Sequence, residues 1–160
     1  MSGYAFKAGG FVGVVSDTHG LVRPEAVKAL AGSELIIHAG DVGGPEVLEE
    51  LGRIAPVVAV RGNNDRGAWA ETLAEYEAVE VNGAFVYVLH DLKELDIAPA
   101  AAGFRVVVSG HSHRPLVEER RGVLYLNPGS AGPRRFKLPV TLARLRLSGA
   151  DAAAEIINLL

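Results

Sequence analysis

The sequence predicts an α/β fold: a single domain, 1–160, with two sheets inside and helices outside. Three observations lead there. Short β-branched apolar runs recur along the chain, each ending in a polar cluster. The segments between the early runs carry helical faces. The last third alternates strands with hairpin-type turns. A chain of 160 residues suits one domain, and a domain of that length buries roughly 70% of its unfolded surface.

The first apolar run, Phe11–Val15, leads to Ser16-Asp17-Thr18-His19-Gly20, and the second, 35–37, to His38-Ala39-Gly40-Asp41. Run 57–60 leads to Arg61-Gly62-Asn63-Asn64-Asp65, run 85–89 to His90-Asp91, run 106–108 to Ser109-Gly110-His111-Ser112-His113, and run 123–126 to Asn127-Pro128-Gly129-Ser130. Runs that hardly alternate fit strands covered on both faces. Between them, Pro24 opens a helix with Ala26, Val27 and Leu30 on its apolar face and Gly32 as its stop. Residues 45–52 repeat that plan with Val47, Leu48 and Leu51 inward, and a third helix is expected over 93–102. The order β-α-β-α-β implies a parallel sheet. Later strands are expected at 116–120, 123–126, 140–147 and 152–159, with turns at Arg121-Gly122 and Ser148-Gly149, so this part reads as mostly antiparallel.

Composition removes several function classes. The chain has no cysteine, which excludes disulfides, cysteine zinc sites and a cysteine nucleophile. Its net charge of -3 is not the basic footprint of a general nucleic-acid binder. No apolar run approaches the ~20 residues of a membrane span. Residues 1–10 hold one lysine and no long apolar stretch, so no secretory signal is expected and the cytoplasm is the default compartment.

Ligands of open α/β sheets bind beyond the carboxyl ends of the strands. Every polar cluster lies at such an end, so Asp17, His19, Asp41, Asn63, His90, His111 and His113 are expected to converge. Carboxylate, imidazole and amide oxygen suit intermediate divalent metals. Seven donors exceed one open site, which needs three or four, and match two sites sharing a carboxylate. Two metals about 3.5–4 Å apart polarise a phosphoryl group and lower the pKa of a held water to about 7, so no serine or cysteine nucleophile is needed. Asp17 and His19, like His111 and His113, are two apart and would share a side if extended. Glycines before Asp41, Asn63 and His111 permit sharp turns or close approach.

The ordered blocks Ser16-Asp17-Thr18-His19-Gly20, Gly40-Asp41, Gly62-Asn63-x-Asp65, Gly110-His111-Ser112-His113 and Asn127-Pro128-Gly129-Ser130 resemble the calcineurin-like metallophosphoesterase superfamily. Length and the Asn-Pro-Gly-Ser block look like its small YfcE-like phosphodiesterase branch, and the likeness spans about 11–147. The resemblance implies a sandwich of two mixed β-sheets packed face to face, with flanking helices. It implies one metal on Asp17, His19, Asp41 and His113 and another on Asp41, Asn63, His90 and His111, bridged by Asp41. Asp91 follows His90 where the family usually has glycine.

Many phosphomonoesterases of the superfamily carry histidine where this chain has Asn64. An asparagine is no general acid, though its amide donates to phosphate. Esters with good leaving groups are therefore expected to be favoured. Asn64 and Asp65 are the candidate catalytic residues beside the metals, and Asn64 and Arg134 the candidate substrate contacts.

Alternatives stand beside these assignments. His38 either orients Asp41 or is a satisfied buried histidine. Asp65 either tunes Asn63 or Asn64 or forms a turn with Arg66. Asn127 and Ser130 are expected to line the site, and Ser130 lacks a base that would make it a nucleophile. Arg61, Arg66, Arg114, Arg134, Arg135 and Lys137 either meet phosphate or are solvated charges. Asp91 either holds His90 or is a turn residue. The acidic tract 71–80 forms a rim or an exposed segment.

The function expected is hydrolysis of a small phosphodiester by a hydroxide held between two divalent metals. Manganese is the first expectation, with Ni2+, Co2+, Fe2+ and Zn2+ as alternatives. The rivals are a non-catalytic scaffold of the same fold, as in the eukaryotic retromer subunit, and a phosphomonoesterase or nuclease of the superfamily. An uncovered edge strand in the C-terminal half would be the place for self-pairing into a homo-oligomer.

Overall fold

The computed structural model describes residues 2–4 and 10–160. The reading of 1–10 as free of a secretory signal therefore falls largely outside the described residues. Two mixed sheets form the core. The first holds β2 (Phe11–Val15), β3 (Ser33–His38) and β4 (Val57–Ala59) in parallel, extended antiparallel by β10 (Thr141–Ser148) and β11 (Asp151–Asn158), in the order β11-β10-β2-β3-β4. The second runs β1-β5-β6-β7-β9-β8, with β1 Ser2–Tyr4, β5 Tyr76–Val81, β6 Ala84–Leu89, β7 Phe104–Val108, β8 Leu116–Arg120 and β9 Val123–Asn127. Within it β6, β7 and β9 are parallel.

The sheets face each other through Val12, Val14, Leu35 and Ile37 on one side and Val79, Val86, Val106 and Leu126 on the other. Helices α1 (Pro24–Leu30) and α2 (Pro45–Gly52) cover the outer face of the first sheet, with Ala26, Leu30, Val47 and Leu51 packed on Ile36 and Leu142. In α1 the residue completing the buried face is Ala29, where the sequence suggested Val27. A strand buried on both faces needs apolar side chains in both directions, which is why β2 and β3 do not alternate. Among the described residues no helix is long and apolar enough to cross a membrane.

Two expectations need correction. The helix expected over 93–102 is a three-residue 3-10 turn, Leu92–Glu94. Pro99 lacks a donor and pushes its predecessor out of the helical region, and Leu92, Leu95 and Ile97 instead cover Tyr87 and Val107 on the outer face of the second sheet. The acidic tract 71–80 follows a short helix, α3 (Ala68–Glu71), and runs into strand β5, with Glu75 lining a cavity at the rim. Strand β5 joins β6 through Asn82-Gly83, both at positive φ; Asn-Gly is the strongest short hairpin signal, and it went unread. The last hairpin turns at Gly149 and Ala150, since Ser148 still pairs with Asp151.

The result that matters for function is directional. Strands β2, β3 and β4 of one sheet and β6, β7 and β9 of the other each run into one of the polar clusters, and the side chains of those clusters meet on one rim.

Candidate metal centre

Asp17 sits at the middle of that rim, fully buried. Its Oδ2 accepts from the Ser16 hydroxyl at 2.6 Å and from the His111 backbone N–H at 3.1 Å. Its Oδ1 has no hydrogen-bond partner and lies 3.3 Å from His113 Nε2 and 3.9 Å from both His19 Nε2 and His90 Nε2. Asp41 Oδ2 lies 3.8 Å from His19 Nε2 and 3.4 Å from His90 Nε2. His111 stands edge-on to His90, ring centres 5.2 Å apart, and its Nδ1 is 3.2 Å from Asn63 Oδ1. All seven candidate ligands are thus linked through short contacts.

Their backbone is unusual. Of the described non-glycine residues with positive φ, five of eight are candidate ligands: Asp17 (56°), His19 (47°), Asp41 (54°), His111 (69°) and His113 (62°). Left-handed conformations cost about 1–3 kcal/mol each and cluster at functional sites. The extended geometry expected for Asp17/His19 and His111/His113 is therefore wrong; these residues converge through left-handed turns after the strands end. Close approach of the loops also constrains what precedes the ligands. A methyl group at Gly110 would overlap the Asp17 carboxylate and Ser16 Oγ, and one at Gly62 would overlap Asp41.

Protonation fits a cation. Burial opposes ionisation of Asp17, but His113, Ser16 and His90 outweigh it and hold its carboxyl below the usual range. Burial likewise opposes ionisation of Asp41, and His90 and Asn64 more than compensate. For His90 burial alone would favour the neutral ring, yet the carboxylates of Asp41 and Asp17 raise its pKa. His90 Nδ1 donates to the Ala39 carbonyl at 2.7 Å. A carbonyl can only accept, so neutral His90 keeps its lone pair on Nε2, toward the carboxylates.

The donors form two overlapping groups, Asp17/His19/His113 and Asp17/Asp41/His90, the ligating atoms within each lying within 4.8 Å of one another. Buried, unpartnered Asp17 Oδ1, His19 Nε2 and His90 Nε2 are what a divalent ion would satisfy, so the residues fit the metal chemistry that their types suggest. Asp17 is common to both groups, whereas the resemblance assigned the bridge to Asp41; Asp41 Oδ2 also spans His19 and His90.

The other expected site residues separate into supports and outsiders. Asn64 donates its backbone N–H to Asp41 Oδ1 at 2.8 Å and its amide to Oδ2 at 3.0 Å, and so holds a candidate ligand. Asp65 is buried beside it. Its carboxylate is turned to the backbone N–H groups of Val42, Gly43 and Gly62, at 3.2, 3.0 and 2.8 Å, and clasps the two loops that carry Asp41 and Asn63.

His38 is the satisfied buried histidine. Gly40 N–H donates to its Nδ1, its Nε2 meets Thr18 Oγ1 at 3.0 Å, and the Thr18 hydroxyl donates to the Val42 carbonyl. Asn127 holds the Gly110 carbonyl and Ser112, and Ser130 holds the Asp17 carbonyl. Both brace ligand loops from behind, and Asn127 also lines the cavity beside the centre. Asp91 caps the 3-10 turn and lies 3.8 Å from His111, not beside His90.

Arg134 is exposed and, among the described residues, forms no hydrogen bond or ion pair. The cavity of about 290 Å³ before the centre is lined by Arg61 and by Glu75, its partner at 3.1 Å. Ranking cations by adjacency placed Arg134-Arg135 above Arg61, whose position after a strand end was the better signal. Ser16, inside the first motif block, was also passed over. The Ala39 carbonyl carries no side-chain signal at all.

Comparison with known proteins agrees with this geometry. Residues 11–150 match the calcineurin-like phosphoesterase superfamily domain. The chain belongs to that superfamily. Its members hydrolyse phosphoric esters and use divalent metals. A probable metallophosphoesterase of Methanothermobacter thermautotrophicus is 40% identical over 158 residues, covering 92% of this chain and 91% of the relative. The Escherichia coli phosphodiesterase YfcE is 30% identical over 145 residues, covering 72% and 76% respectively. The crystal structure of Chaetomium thermophilum Vps29 superposes with a TM-score of 0.76 at 19% identity, over 92% of this chain and 97% of that one, a likeness of fold.

Proposed function

We propose that the chain is a metal-dependent phosphodiesterase acting on a small diester. Two divalent ions, when bound, would supply Lewis-acid polarisation of the phosphoryl oxygens and a hydroxide held between them for in-line attack on phosphorus. The carrying observation is Asp17 Oδ1, buried without a hydrogen-bond partner among His19, His90 and His113 nitrogens. The chain's own residues hold this arrangement ready: Ser16 and the His111 N–H anchor Asp17, Asn64 anchors Asp41, and Ala39 fixes the His90 tautomer. Such support is what keeps a ligand set in productive geometry.

The diester preference is supported by the relatives named phosphodiesterase and by Asn64, an amide where phosphomonoesterases of the superfamily carry histidine. Manganese is the ion we propose for assay, since mixed oxygen and nitrogen donors accept Mn2+, Ni2+, Co2+, Fe2+ or Zn2+. The compartment we propose is the cytoplasm.

The test is hydrolysis of bis(p-nitrophenyl) phosphate with added manganese, comparing wild type and Asp41→Asn, beside a panel of mono-, di- and cyclic esters. Metal-dependent turnover in wild type that is lost in the variant supports the reading. Equal background rates in both would favour the scaffold reading, which the fold shared with Vps29 keeps as the rival.

A further inference from the structure

A second, larger cavity of about 930 Å³ opens beside the metal centre. It shares His111 and Asp91 with the cavity that faces the ligands, so the two are contiguous across those residues. Its size is that of a pocket for a whole small-molecule arm. Leu92, Pro115 and Leu116 supply apolar wall, and Lys93 and Arg114 supply positive charge. Among the described residues neither cation is paired with a carboxylate: Lys93 and Arg114 engage only through their backbone N–H groups, on Asp91 and Ser112. The one carboxylate on this wall, Asp91, is turned to the Lys93 N–H and toward His111.

Apolar wall with two free cations is a binding surface for a group that has an apolar body and an anionic end. We infer that this cavity takes one ester arm of the substrate and selects diesters whose arm carries a further negative charge, with Arg114 and Lys93 as the specificity-determining residues. The inference rests on the phosphodiesterase reading and names its substrate class. Binding made equally in ground and transition state alters KM and leaves kcat in place, so the selectivity belongs in KM.

Two chromogenic diesters separate the idea cleanly. Thymidine 5′-(p-nitrophenyl phosphate) and its 3′-phosphorylated counterpart share the reacting phosphate and both ester bonds and differ by one distal phosphate, which carries about −1.5 to −2 charges at pH 7. With metal-loaded wild type, and with cleavage of either ester bond followed by chromatography, the 3′-phosphorylated diester should show kcat/KM about tenfold higher, through KM. In Lys93→Ala/Arg114→Ala that ratio should fall to near one, while turnover of bis(p-nitrophenyl) phosphate stays within about twofold. A wild-type ratio near one, or a ratio surviving in the double variant, overturns the inference. Binding of thymidine 3′,5′-bisphosphate to metal-free protein, read by calorimetry, is the arm independent of turnover, and it should weaken about tenfold in the double variant. If wild type cleaves no diester, the phosphodiesterase reading fails by itself; unchanged bisphosphate binding in the double variant fails the pocket alone.

Discussion

Asn64 grips Asp41 twice, its backbone N–H 2.8 Å from Oδ1 and its side-chain amide 3.0 Å from Oδ2. The amide thus orients a metal-binding carboxylate. Partners of this kind are worth about 10–100-fold in metal affinity. Asn64→Ala keeps the backbone bond and loses the amide, so manganese affinity should fall about tenfold in a calorimetric titration. An unchanged affinity would return Asn64 to a role at the substrate.

Asp65 collects three backbone N–H groups from two loops. In Asp65→Asn one oxygen becomes a donor facing donors. A buried group left unsatisfied costs about 1–3 kcal/mol, and 1 kcal/mol shifts the melting midpoint of a domain this size by about 2–4 °C. Asp65→Asn should therefore melt about 5 °C lower by circular dichroism. A midpoint within one degree of wild type would show that the clasp contributes nothing.

His90 is held above its ordinary pKa by Asp41 and Asp17, against the effect of burial. A raised histidine pKa means that the metal-free ring is still partly protonated just above pH 6.5. A cation needs the Nε2 lone pair, so binding must expel that proton. Manganese binding at pH 6.5 should release protons, seen as a titration enthalpy that depends on the ionisation heat of the buffer, and the release should shrink in His90→Ala. Affinity should fall as the pH is lowered. Equal enthalpies in two weakly coordinating buffers that buffer near pH 6.5 and differ in ionisation heat would contradict this.

The convergence of the seven candidate ligands was legible because its signal is chemical: seven donors after short apolar runs, at strand ends that the parallel topology brings to one rim. What stayed hidden follows other physics. Whether Asn64 and Asp65 face substrate or backbone depends on how two loops cross, which no local pattern records. The convergence of His111 and His113 was foreseen for the wrong reason, since left-handed residues, not an extended segment, turn both inward. The 93–102 segment was expected to be helical, but Leu95 and Ile97 are two apart, which is not a helical spacing, and with Leu92 they pack on a sheet face without a helix. The hairpin at Asn82-Gly83 was written in the sequence, and the acidic run around it masked the strand.

His38 is fully buried, and burial pushes its pKa down to about 4. As the pH falls from 6.5 the unfolded chain takes up the proton first, and the native state is penalised. Stability is therefore complete above about pH 6.5 and is lost toward pH 4, at about 1.4 kcal/mol per pH unit and about 3 kcal/mol in all. Urea unfolding of chelator-treated protein between pH 7 and 4.5 should show wild type losing stability more steeply than His38→Gln by about that slope. Parallel curves would mean that His38 does not carry the acid sensitivity.

The commitment of Asn64 to Asp41 bears on the chemical step. Its amide cannot protonate a leaving oxygen in any case, and one of its two N–H groups is engaged by Asp41. Proton donation by a general acid is worth about 10²–10⁴-fold, and without it the departing oxygen must leave as an anion. Across a series of aryl diesters at saturating manganese, kcat should fall steeply as the pKa of the leaving phenol rises, so that an unsubstituted phenolate leaves at least about tenfold more slowly than p-nitrophenolate. A flat dependence would mean that another group supplies the proton or that a step after bond cleavage limits turnover. Single-turnover measurements distinguish these, because only the first leaves the burst rate insensitive to the leaving group.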